Sequence, residues 1–149
     1  MTTFRPSDEI AILATVDPEA SSVSACWTSD WADFEYFESM MAIGLLGVAG
    51  AGATINFKLL QATSAAGSQS KDITSAAIVE TDTASNDKQF IINCHSSDLD
   101  IANGFRYVAM KYTNGTVASD LAAVLLGVKA KHGPASGHDL STVAQIITP

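Results

Sequence analysis

Cysteine, proline and basic charge are all scarce in this chain, and each scarcity narrows what it can be. Two cysteines in 149 residues cannot staple a small disulfide scaffold. Cys26 and Cys94 form no CxxC pair and have no histidine at zinc-finger spacing, so no zinc module is encoded. Both read as thiols buried in strands, and a bridge between them would require those strands to be neighbours. Charged residues are only 16% of the chain, against roughly 25% in soluble domains. The 8 Lys and Arg face 16 Asp and Glu, for a net charge of −8. Without clustered cations to meet phosphates, no nucleic-acid partner is expected. The longest apolar run, 40–53, contains four glycines and is too short to cross a bilayer, so no membrane partner is expected either. Residues 1–8 carry no apolar signal-peptide core, and a cytoplasmic site of synthesis is expected.

What the chain has instead is small and apolar. Ala, Ser and Thr fill about a third of it, and 47% is hydrophobic. The length suits one domain with its own core. Runs of strand-forming residues recur along it: 10–16, 23–27, 34–46, 53–63, short pieces around Ile73 and Ile78-Val79, 89–95, 105–113 and 116–128. The run 34–46 starts with alternation and becomes apolar on both faces, as a strand buried in the middle of a sandwich would. The Gly-rich 47–52 predicts a hairpin joining 34–46 to 53–63, and Asn114-Gly115 predicts a second one. The Ala-rich 120–130 has helical propensity, but Val124-Leu125-Leu126 after an Asn-Gly turn argues strand. About eight strands and no helix predict an all-β fold, a single antiparallel β-sandwich or jelly roll. Its expected organisation is an N-terminal arm at 1–9, a sandwich domain at 10–128 and an extended C-terminal arm at 129–149.

Site signatures are thin, and the sequence predicts no enzyme, cofactor or metal. Gly47, Gly50 and Gly52 precede a strand, whereas a phosphate-cradling loop must open a helix. No G-x-S-x-G elbow is present. His95 adjoins Cys94, but neighbouring strand residues point to opposite faces and cannot pair as nucleophile and base. His132 and His138 lie among glycines in the C-terminal arm and read as solvent or interface groups. Asp98 and Asp100 could offer oxygen ligands to calcium, yet turn aspartates ordinarily accept backbone hydrogen bonds. Asn114-Gly115-Thr116 matches a glycosylation acceptor and is read as a turn. Aromatics concentrate in Trp27, Trp31, Phe34, Tyr36 and Phe37, beside Asp30, Asp33, Glu35 and Glu38. Core packing accounts for part of this, and exposed members would suit a sugar- or protein-binding face. Residues 1–57 hold eight acidic residues against Arg5 alone, so this part would dock best on a basic surface.

Phe34-Glu35-Tyr36-Phe37-Glu38, the strand ending Ile43-Gly44, Gly52-Ala53-Thr54-Ile55, and Lys58-Leu59-Leu60-Gln61-Ala62-Thr63 form a distinctive layout. So do Gly67 with Lys71-Asp72-Ile73, and Asp98-Leu99-Asp100 before Gly104-Phe105-Arg106-Tyr107-Val108. Ala123-Val124-Leu125-Leu126-Gly127 leading to Pro134 completes it. Between residues 10 and 136 this layout resembles small tailed-phage head proteins of the capsid decoration (cement) or head-spike-base type. The resemblance implies a β-sandwich structural virion protein, often trimeric, bound to the outer surface of an icosahedral capsid. The implied partners are the major capsid protein and further copies of the chain. Interface candidates are Phe4, Arg5, Trp27, Trp31, Tyr36, Val143, Ile146 and Ile147. The alternatives are a head-fibre or spike base, or a carbohydrate-binding module using Trp27, Trp31 and Tyr36. A small hydrolase would depend on His95 or Asp98.

Overall fold

The computed structural model describes residues 5–21, 24–80, 86–135, 138–139 and 141–147. A single helical turn, α1 (Pro6–Glu9), leads into the first of nine strands found among the described residues. These are β1 (Ile10–Ser21), β2 (Cys26–Thr28), β3 (Ala32–Asp33), β4 (Phe37–Ala49), β5 (Ile55–Ala62), β6 (Lys71–Glu80), β7 (Gln89–His95), β8 (Tyr107–Asn114) and β9 (Ser119–Ala130). They form two antiparallel sheets packed face to face, the sandwich that the runs of strand-forming residues predict. Sheet A runs β1-β9-β4-β7, and sheet B runs β2-β8-β5-β6 with β3 also paired to β8.

Period-two burial sets which residues enter the space between the sheets. Sheet A contributes Ala14, Phe37, Met40, Ala42, Phe90, Ile92, Cys94, Ala123 and Leu125; sheet B contributes Ile55, Phe57, Leu59, Ile73, Val108, Met110 and Tyr112. Buried in this way, a large aliphatic or aromatic side chain contributes about 1.5–3 kcal/mol. Small residues let large ones sit close. A Cβ on Gly44 would approach the Phe57 ring at 3.2 Å from the opposite sheet.

Two predicted hairpins are absent. β4 lies in sheet A and β5 in sheet B, so the Gly-rich segment between them carries the chain across the sandwich instead of pairing its flanks. The Gly50 N–H donates to Ala118 O, stitching this crossing to the second one. There, Asn114-Gly115 is the end of β8 and not a turn. Gly115 N–H donates to Thr54 O at 2.7 Å, Ser24 N–H donates to Gly115 O, and the chain crosses to β9 only after that. The Asn114 side chain accepts from Ala25 N–H at 2.5 Å and donates to Val117 O, so its polar ends serve the crossing.

Other boundaries shift modestly. The expected strand start at Phe34 is a 3-10 turn, Phe34–Tyr36, whose second amide is held by the Asp33 carboxylate accepting from Glu35 N–H at 2.9 Å. The pieces around Ile73 and Ile78 are one strand, β6. The Ala-rich segment is strand β9, as its apolar run indicates. Cys94 is buried, but Cys26 is exposed on sheet B rather than buried, and the two are unpaired in different sheets.

After β9 the chain turns back along the free edge of β1. Ala135 N–H donates to Asp8 O at 2.6 Å and Asp139 N–H to Ile12 O at 2.7 Å. His138 fixes the same contact. Its Nδ1 accepts from Ile12 N–H at 3.3 Å, and its Nε2 lies 3.2 Å from Ser7 O, which places the ring proton on Nε2.

Candidate functional site

The two sheets differ on their outer surfaces. Sheet B is polar outside: Lys58 pairs with Asp72 at 2.8 Å, and Lys111 stands beside Lys58 in the ladder. Sheet A is apolar outside as well as inside. Its ladder brings four rows of outward side chains into register. The first is Ile10, Val128, Ser39 and His95; the second is Ile12, Leu126, Met41 and Asn93. The third is Thr15, Val124, Ile43 and Ile91, and the fourth adds Ala122, Leu45 and Gln89. None of these rows carries Asp, Glu, Lys or Arg. Ile91 is 56% exposed and Leu45 47%. α1 meets β1 and β9 at one end of this face, beside Ile10 and Val128.

Polar residues rim the face at both ends. One end has a 370 Å³ recess lined by Asp8, Glu9, Ile10, Val128, Lys129 and Gly133. The other has a 440 Å³ groove lined by Pro18, Leu45, Gly47, Asp120 and Ala122. Lys129 reaches toward Glu38 at 3.9 Å across the first rim, an exposed pair that adds little to stability. An uncharged strip between charged ends is what a protein-binding surface requires, since its centre must lose water and its rim need not.

The candidate residues from the sequence fall in several places. Phe4 lies outside the described residues. Arg5 is exposed and starts α1, its N–H donating to the Asp8 carboxylate at 2.9 Å. Trp27 is committed to packing: its ring stacks on Tyr112 with centroids 5.5 Å apart. Trp31 covers the turn at Gly67, where a Cβ would meet its Nε1 at 2.6 Å and where φ is +76°. Trp31 and the exposed Tyr36 share a 160 Å³ depression with Leu13, Asp33 and Phe37, while Trp27 lines a different one with Thr15, Val16 and Asp17. The three aromatics therefore do not present one surface. Val143 is half-buried, its N–H bonded to Asp139 O, whereas Ile146 and Ile147 are exposed beyond it.

The polar candidates are occupied locally. Asp98 accepts from His95 N–H at 2.8 Å, and Ser97 N–H donates to His95 Nδ1. The carboxylate thus holds the His95 backbone and leaves the ring unoriented by it. Hydrogen bonds from Lys71 (2.5 Å) and Asn103 (2.8 Å) hold the Asp100 carboxyl below its usual range. Lys71 also lies 4.0 Å from the Phe105 ring centroid. Asp98 and Asp100 consequently face different partners, and no cluster of three His, Cys, Asp or Glu residues is placed to hold a metal among the described residues. Arg106 bridges Asp33 at 2.7 Å and Glu35 at 2.9 Å, closing part of the acidic cluster onto β8. No described helix is long and apolar enough to cross a membrane.

The outer face of sheet A is the feature that strand-by-strand reading misses. Its signal is present in β4 and β9, which are apolar in both registers. A doubly apolar strand reads naturally as one buried on both sides, and here one of those sides is open.

No family model matches the chain, and no curated protein matches it in sequence. Solved structures share parts of its layout. One chain in the structure of infectious bursal disease virus, Gt strain, overlays 84% of this chain at 5% identity and a TM-score of 0.48. One in the structure of broad bean stain virus overlays 82% at 13% identity and a TM-score of 0.31. This chain spans 32% and 65% of their respective lengths.

Proposed function

We propose that the chain is a structural virion protein. In this reading it is a decoration (cement) protein that binds the outer surface of an icosahedral phage capsid as a homotrimer. It is made in the bacterial host cytoplasm and stabilises contacts between major capsid subunits, without catalysis or a cofactor. The observation that carries the reading is the uncharged apolar outer face of sheet A on a rigid sandwich, a surface built for protein contact. The resemblance between residues 10 and 136 supplies the class of assembly. The exposed Ile146 and Ile147 give the C-terminal arm apolar groups to lay on a neighbour.

A carbohydrate-binding module built on Trp31 and Tyr36 would have to use the depression they share. Its 160 Å³ is well below the roughly 300 Å³ at which small-molecule sites begin, which favours the first reading. The test mixes purified chain with capsid shells lacking it and follows co-sedimentation and the temperature of shell disruption. Saturable binding with a raised disruption temperature is expected. Shells that neither bind the chain nor gain stability would overturn the proposal.

A further inference from the structure

We infer that residues 144–147 of one copy add a strand to the open β7 edge of the next copy. The inference rests on the self-association in the reading above and not on the capsid.

A sheet edge bears unpaired backbone groups, and folded proteins guard it with charge, proline, bulges or short strands. Three of the four edges of this sandwich are guarded. β2 and β3 are only three and two residues long. β6 opens with Lys71-Asp72 and breaks register against β5. β1 contains Pro18, shifts register against β9, and is covered at Ile12 by His138 and Asp139. β7 has none of these devices. It holds no proline, Asp, Glu, Lys or Arg, and its register with β4 is unbroken.

The groups on that edge follow from the ladder. Lys88 O accepts from Leu46 N–H at 3.0 Å, so Phe90, Ile92 and Cys94 bond to β4. Gln89, Ile91 and Asn93 therefore turn their N–H and C=O groups outward, where no described residue meets them. A strand laid there continues the sheet through main-chain bonds.

The occupant has the matching lack. Ile146 and Ile147 are exposed, and the backbone of 144–147 bonds to no described residue. Ala144-Gln145-Ile146-Ile147 is free of charge and proline, so chains of net charge −8 meet here without stacking carboxylates. The segment cannot serve its own β7. Val143 N–H donates at 2.9 Å to Asp139 O, and Asp139 lies just outside β1. The position beyond β7 is five strand spacings away, about 24 Å, whereas four residues span at most about 14 Å. A second copy must supply the edge.

Alternation then fixes the antiparallel register. Ile147 stands opposite Ile91 and Gln145 opposite Asn93 on the outer face, while Ile146 joins Ile92 and Ala144 joins Cys94 inside. A slip of one residue would turn Gln145 into the core.

The test is the solution mass of the purified chain by light scattering, expected at about three times 15.6 kDa. Two changes should each lower it about threefold with an unchanged circular-dichroism spectrum: deletion of residues 144–149, and Ile91→Pro, which removes an outward N–H and spares the ladder to β4. Leu45→Lys, on the outer face but off the edge, is expected to remain trimeric. In a Cys26→Ser background, Ile91→Cys with Ile147→Cys should form disulfides between copies on mild oxidation, because such paired residues stand about 5.5 Å apart. A trimer that survives the deletion, or forms no such disulfide, would overturn the strand exchange and leave the homotrimer standing. A trimer lost on Leu45→Lys would place the contact on the face and overturn the edge. A monomeric wild type would overturn both readings, and a dimer lost on the deletion would keep the exchange and overturn the homotrimer. Shell binding, measured separately, decides the capsid reading.

Discussion

Gly127 lies directly under the ring of Phe37: a Cβ at Gly127 would come within 2.7 Å of Phe37 Cγ and 2.8 Å of both Cδ atoms. Phe37 is almost wholly buried at the start of β4, so its ring has no free direction in which to retreat. Gly127→Ala is expected to destabilise the fold by about 1–3 kcal/mol through overpacking. Urea unfolding followed by tryptophan fluorescence measures this, and an unchanged midpoint would contradict the close approach.

Tyr112 and Ser119 join the two sheets through hydroxyls buried between them. Tyr112→Phe removes one partner while keeping the ring stacked on Trp27. A loss of about 1 kcal/mol is expected in urea unfolding, with no change in oligomer mass. A larger loss would mean that the hydroxyl holds more than this contact.

The two thiols should react very differently. Cys26 is exposed, while burial first, and the Asp98 charge second, push the Cys94 thiol from 9.0 up to about 12. One thiol per native chain should react promptly with a chromogenic disulfide at pH 8, and two after denaturation. The raised value also fixes a sign. The neutral thiol is favoured in the folded chain, so this contribution is complete below pH 9 and is lost as pH rises toward about 12. Cys94→Ala should therefore flatten the decline in stability across that interval.

His138 ties the C-terminal arm to Ile12 and Ser7. His138→Ala is expected to release the arm, speeding tryptic cleavage after Lys129 and Lys131 severalfold without shifting the unfolding midpoint of the sandwich. Asp139 should add an acid limit to the same contact. Hydrogen bonds from Ser141 hold its carboxyl below the usual value, so its contribution is present above about pH 4 and fades as pH falls further. Hydrogen exchange of the Ile12 and Asp139 amides at pH 7 and at pH 3 would show the loosening.

The strands were largely legible in the sequence because burial alternates strictly where one face is wet, as in Gln89–His95. Pairing was less legible. Asn-Gly favours a tight turn, but Asn114 has buried backbone partners at Ala25 and Val117 that a hairpin could not supply, and tertiary contact prevails over turn propensity. The Gly-rich 47–52 likewise reads as a turn in either topology, since glycine reports flexibility and not which sheet the chain enters next. The aromatic candidates separated for a related reason. Sequence proximity grouped Trp27 with Trp31, whereas the short β2 turns Trp27 onto Tyr112. The sheet A face was written in β4 and β9, and only the assembled ladder shows Leu45 and Ile91 exposed on one side of it.

The first and last strands of the sandwich are hydrogen-bonded partners, and β9 stands between β1 and β4. Sheet A therefore has no continuous middle until residues 119–130 have been synthesised. A ribosome still extending the chain holds β1 and β4 without the strand that joins them, so the core closes late, by contacts spanning almost the whole chain. Folding is expected to begin in sheet B, whose strands all precede residue 115, and to finish once β9 has joined β1 to β4.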